Sequence, residues 1–333
     1  MSKKNTDFKL EPAEESEIET SNEEIYIPHQ DNPELIVDES AYTLLEYISV
    51  DWPSQSIELL SNDEVIIATN PISDDPSFVR FNFDRTDNYN DMDNFYFDKM
   101  QASSSFNRIR TFKNNIFCIA DDSFCIYNKG FNLIKEYKDK FGYGLTHINE
   151  KVCASLHSGA IKLIDYNRNK VEERPLHSSS IESLDSFESM IFSASTDKSI
   201  KFTDIRTKES VYSQKFSSDI NAIAHNKENF VVFGDDDGLL RLMDIRNHQI
   251  EEIRWHNTPI SMVKFKNEDE FISASDEQVV LWDKGFEEEW EYHKYISFVH
   301  QGQKLYKDFC WNENEVYFTT SYEGICIFSP QQE

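Results

Sequence analysis

The chain lacks the marks of several common function classes. No run of eighteen apolar residues occurs, so the sequence offers no spanning helix. The start, Met1-Ser2-Lys3-Lys4, leads into acid rather than an apolar stretch, which reads as no secretory signal. Cys118, Cys125, Cys153, Cys310 and Cys326 include no Cys-x-x-Cys pair, so neither a zinc knuckle nor a redox dithiol is indicated. Each cysteine sits among apolar or aromatic neighbours and reads as a small buried hydrophobe of a reducing compartment. The nine histidines form no His-Glu-x-x-His helix. Basic residues are few, 33 against 61 acids, a net charge of −28. Such a body repels nucleic-acid phosphates and attracts a positively charged protein. No metal, cofactor or membrane is expected.

Aromatic residues are plentiful, 25 Phe, 15 Tyr and 5 Trp, enough for a real core. The negative charge is uneven: residues 1–98 carry 24 acids and 5 bases, about two thirds of the excess. Residues 1–24 combine many acids with few large apolar side chains and read as a disordered acidic tail. A second acidic stretch runs from Asp84 to Asp98 and reads as a solvated loop or an adhesive surface for a basic partner.

The remainder is organised by a repeat. Two apolar residues, small residues, an acidic turn and an alternating strand ending in Asp recur as IFSASTDKSIKFTD (191–204), VVFGDDDGLLRLMD (231–244) and FISASDEQVVLWD (271–283). Weaker copies close at Asp84, Asn128, Asp165 and Ser329. The intervals between closing positions are 44, 37, 39, 40, 39 and 46 residues. That period suits a four-stranded propeller blade, and seven copies suit a closed ring without exposed sheet edges. Further strands are expected at Ile181 to Phe187, Ile220 to Ala224 and Ile260 to Phe265. The predicted fold is all-β: a seven-bladed propeller over residues 56–333, preceded by an extension over 25–55. Within that extension, residues 38–48 have the apolar spacing of a short helix, with Tyr42, Leu45 and Ile48 on one side and Asp38 or Ser40 as cap. Trp52-Pro53 would end it.

The repeat resembles the WD-repeat family, although Trp-Asp survives only at Trp282-Asp283 and the Gly-His dipeptide is absent. The resemblance marks His256, Ser273 or Ser275, Asp276 and Trp282 as a structural hydrogen-bond network of the sixth blade, and His177, Ser193 and Asp197 as its remnant in the fourth. A His–Asp–Ser grouping also looks like a hydrolase triad, but here it repeats with the blade and has no Gly-x-Ser-x-Gly elbow, so no enzyme is expected.

Glu24-Ile25-Tyr26-Ile27-Pro28, Leu35-Ile36-Val37-Asp38-Glu39-Ser40-Ala41-Tyr42, Asp51-Trp52-Pro53-Ser54, Asn107-Arg108-Ile109-Arg110 and Phe298-Val299-His300-Gln301-Gly302 together resemble the glutamate-rich WD-repeat ribosome-assembly proteins, relatives of the histone-binding WD-repeat chaperones. The resemblance implies a dedicated, monomeric chaperone that escorts a basic large-subunit ribosomal protein, L three, to the nucleus and nucleolus, with a cytoplasmic pool. The long Glu/Asp run of that family is reduced here to the Asp84–Asp98 stretch.

Acids in the turns between second and third strands would converge on one face. One Asp per turn, Asp197, Asp237 or Asp276, is expected to fold the turn. The surplus, Asp122, Asp235, Asp236 and Glu277, is the candidate binding set. A second candidate is the insertion Glu287, Glu288, Glu289, Trp290 and Glu291, which with Tyr42 and Glu46 of the 38–48 segment could frame a groove. Two other functions fit the same fold. One is histone binding. The other is a substrate receptor of a cullin-type ubiquitin ligase, suggested by the Asp-x-Arg turns Asp204-Ile205-Arg206 and Asp244-Ile245-Arg246.

Overall fold

The computed structural model describes residues 37–82, 96–207, 209–285 and 295–331. The acidic tail 1–24, most of the Asp84–Asp98 stretch and the Glu287–Glu291 insertion lie outside these residues.

The second and third strands of each repeat are buried at nearly every position, as in Met190–Ser195 and Ser199–Asp204. A strand of that kind must be covered on both faces. The fold meets this by standing seven four-stranded antiparallel sheets side by side in a ring, so that each blade's faces pack on its neighbours. Six blades are contiguous, over residues 54–101, 108–138, 141–175, 181–215, 220–254 and 260–300. Fourth strands lie on the circumference and alternate exposed and half-buried residues, as in Lys170–Pro175 and Ser210–Lys215. The closing Asn128, Asp165, Asp204, Asp244 and Asp283 each end the third strand of blades 2 to 6. The predicted strands Ile181–Phe187 and Ile260–Phe265 are innermost strands of blades 4 and 6.

The core is divided among the blade interfaces. Between blades 5 and 6, for example, Leu242, Ile253, Val263 and Phe271 pack with Trp282, which stacks on Phe271 at 5.7 Å between ring centroids. All five cysteines are free and buried.

The seventh blade corrects the expectation for residues 38–48. Only Glu39–Ala41 form a turn of 3-10 helix, capped by the Asp38 carboxylate accepting the Ser40 N–H. Tyr42–Ile48 is a strand. It pairs antiparallel with the last strand, Gly324–Pro330, in the sheet that Asp308–Trp311 and Tyr317–Ser321 begin. The propeller therefore includes residues before 56. The helical spacing has a physical origin in two-sided burial. Leu44 and Ile48 pack in the cluster shared with blade 1, whereas Tyr42 and Leu45 pack in the cluster shared with blade 6. A bulge between Tyr42 and Leu44 then shifts the alternation and imitates a period near three.

Candidate functional site

Consecutive turns of a four-stranded meander alternate between the two ends of the blade. The turns between second and third strands therefore share one face, here called upper, with the links between blades. The mouth on this face is lined by residues near the start of the innermost strands, including Arg108, Glu182, Asn221 and Ser261, with Asp276. Among the described residues, the loops of the upper face hold thirteen acids and four bases. The described loops of the lower face hold nine acids and eight bases. This contrast holds for the described loops only, because residues 83–95 and 286–294, which lie outside them, hold eight further acids and two bases. The expected funnel is only a rim, however, because the mouth mixes Arg108 and Lys307 with Glu182 and Asp276.

Within the candidate set, Asp235 is corrected. It is fully buried, pairs with Arg241 at 2.7 Å and accepts the N–H groups of Asp237 and Leu239. It folds the turn that Gly238 completes at φ +77°, where a Cβ would meet the His256 carbonyl at 2.6 Å. Sequence reasoning gave that turn-folding role to Asp237, which is exposed instead. Within DDD one acid folds inward, and Arg241 six residues on marks which. Asp236 is exposed and accepts the Asn221 amide at 2.6 Å. Asp122 is exposed, with Lys138 at 3.9 Å, and Glu277 is half-buried.

The sixth-blade network forms in part. Ser273 Oγ lies 2.7 Å from His256 Nε2 and accepts the Trp282 indole N–H at 2.8 Å, all three side chains buried. Asp276 is placed otherwise: its backbone N–H donates to Thr258 and its side chain borders the upper mouth. In blade 4 the remnant is complete, with His177 Nε2 2.8 Å from Ser193 Oγ and His177 Nδ1 3.1 Å from Asp197. Hydrogen bonds from Ser199 and the Ser178 N–H, with His177 beside it, hold Asp197 at about 2 despite burial. Ser193 is fully buried and donates to the Lys201 carbonyl, so the group staples strands together.

Tyr42 and Glu46 do not frame a helical groove. The Tyr42 hydroxyl lies 3.1 Å from His300 Nδ1 and the ring packs edge-on against Phe298, so Tyr42 is committed to the joint between blades 6 and 7. Glu46 sits half-buried in the closing strand opposite Ile327. Glu287, Glu288, Glu289 and Trp290 lie outside the described residues. Arg206 and Arg246 lie in lower-face turns, each clamping the Asp two residues before it at 2.6 Å.

Sequence reasoning missed the charges inside the channel. Asp308 of blade 7 is buried, with Lys264 of blade 6 at 2.8 Å and Arg110 and Arg108 of blade 2 at 3.2 and 3.9 Å. Ser56 of blade 1 donates to it at 2.7 Å. These cations hold the Asp308 carboxyl far below its usual range, against the opposing effect of burial. Glu58, Arg110, Asp185 and Lys264 do stand at one place in their innermost strands, but Asp308 stands two residues before it, where blade 7 has Cys310.

Burial also places His225 at about 4 and His300 at about 3. Both titrate near ~6.5 in an unfolded chain. Between those values the unfolded chain binds protons that the ring refuses, so stability falls as pH drops. The slope approaches about 1.4 kcal/mol per pH unit for each histidine. Glu58 and Asp185 oppose this, because burial raises both carboxyls and acid relieves that cost. Urea unfolding from pH 7 to 5 should show a falling midpoint, and the fall should shrink in a His225→Gln, His300→Gln double variant; an unchanged slope in that variant would mean the two histidines are not held neutral.

No protein-family model matches the chain. A structure described as "Structure of U3-55K" superposes with a TM-score of 0.69 at 12 % identity, covering 86 % of this chain and 98 % of that one. This likeness concerns the fold alone. The chain is thus an all-β, seven-bladed propeller, a scaffold shared too widely to select a function by itself.

Proposed function

We propose that the ring is a non-enzymatic carrier that docks a strongly basic protein on its upper face. The observation that carries this reading is the imbalance of thirteen acids to four bases in the described loops of that face. A rigid acidic face speeds capture of a cationic client and shields it from wrong partners, and it weakens as salt rises. The client is a large-subunit ribosomal protein, L three, as the resemblance of the opening and last-blade segments implies. The carrier then works between the cytoplasm, where such a protein is made, and the nucleolus. Co-expression with that protein should give a soluble one-to-one complex at low salt. Neutralising the exposed or half-exposed acids together, by Asp122→Asn, Asp236→Asn and Glu277→Gln, should weaken it about tenfold, a loss of ~1.4 kcal/mol, with an unchanged melting curve. Asp235 is left out because its loss would unfold the turn. Retention of a core histone pair in preference to the ribosomal protein would replace the client, and full affinity in the triple variant would move the site off the upper face.

A further inference from the structure

The lower half of the channel holds a cavity of about 480 Å³, lined by the later residues of the innermost strands. Its carboxylates are already engaged. Glu58 accepts Arg110 on one oxygen and the Thr111 hydroxyl on the other, both at 3.4 Å. Asp185 accepts the His225 and Ser186 N–H groups, each at 2.7 Å. Asp308, above the cavity, receives donors on both oxygens. The donors are not engaged to the same degree. Every hydrogen bond and ion pair found for Arg110 runs through Nη1, to Glu58, Asp308 and the Ile109 carbonyl, which leaves Nε and Nη2 without partners among the described residues. Lys227 is exposed at the rim and pairs with no carboxylate among the described residues. Its backbone is fixed at φ +63°, its N–H donating to His225 Nδ1 at 3.0 Å. That bond places the His225 proton on Nε2, which is buried without an acceptor.

The donors left over on this wall, Arg110 Nε and Nη2, the Lys227 ammonium and His225 Nε2, call for acceptors beyond those of Glu58 and Asp185, so the complement is an anion. Arg110 belongs to blade 2 and Lys227 to blade 5, three blades away around a seven-blade ring. A ligand meeting both needs acceptor oxygens on more than one side, which a phosphate group has and a single planar carboxylate lacks. We infer that the lower channel binds a small phosphate-bearing anion between Arg110 and Lys227, a cationic site inside a chain of net charge −28. This site lies on the face opposite the proposed client surface, so either proposal can fail without the other.

The test is calorimetric titration of the full chain with sodium pyrophosphate at fixed ionic strength, beside sodium chloride. Saturable one-to-one binding is expected with pyrophosphate, with a matching rise in melting temperature. Lys227→Glu, at an exposed turn that leaves the Asp308 cluster intact, should weaken binding at least tenfold while its own melting curve without ligand stays in place. Two results would each overturn the inference: pyrophosphate heats and melting curves that equal those in chloride, or unchanged pyrophosphate affinity in the folded Lys227→Glu protein.

Discussion

Asp308→Asn should cost the ring about 3–5 kcal/mol, the usual consequence of breaking a buried ion cluster by removing one partner. The substitution conserves volume and keeps one acceptor oxygen for Ser56, so the loss is the charge together with the oxygen that accepts the Phe309 N–H and Lys264. Lys264, Arg110 and Arg108 would then face one another across blades 6 and 2 with no shared counter-ion. Glu58 compensates weakly, because it lies 3.4 Å from Arg110 and burial already disfavours its ionised form. Urea unfolding measures this directly. A cost below about 1 kcal/mol would mean that the three cations reach water or another carboxylate, and that the cluster does not tie blades 1, 2, 6 and 7 together.

Removing residues 1–48 should have a still larger effect. The deletion takes away the fourth strand of blade 7, its ladder to Gly324–Pro330, and the side chains of Leu44, Leu45, Ile48 and Tyr42 at both neighbouring interfaces. Burying each such side chain is worth about 1.5–3 kcal/mol, so the sum reaches the whole stability of an ordinary domain. The deletion also exposes the last strand, an edge of consecutive apolar residues, Ile325-Cys326-Ile327-Phe328. The expected product is aggregated or lacks a cooperative thermal transition. A monomer with the melting temperature of the full chain would show that the ring closes without this strand.

The parts that were legible in the sequence share one property: they repeat. Strands two and three of each blade carry the same pattern, and seven closing positions spaced by about forty residues fixed the number of blades. The closing strand was misread because it occurs once and no second copy corrects it. Its residues alternate between two interfaces across a bulge, and spacing alone does not separate that from a helix turn. The acidic face was legible in its sign but not residue by residue. Asp235 and Asp236 are neighbours of the same type, yet the first folds inward onto Arg241 and the second stays in solvent. Strand register decides this, and a run of three aspartates hides it. Asp308 escaped notice for a related reason. Its partners come from blades 1, 2 and 6, at sequence separations of about two hundred residues and more for Arg110 and Ser56, which no local pattern connects.

The central claim is that a basic client sits on the face bearing the acidic turns. Hydrogen exchange of the ring with and without the co-expressed ribosomal protein, at low salt, tests it most directly. The account predicts slowed exchange at turns around Asp121-Asp122, Asp236-Asp237 and Asp276-Glu277, with the turns around Arg206 and Arg246 unchanged. Protection confined to those arginine turns, or no protection anywhere in an intact ring, would contradict it.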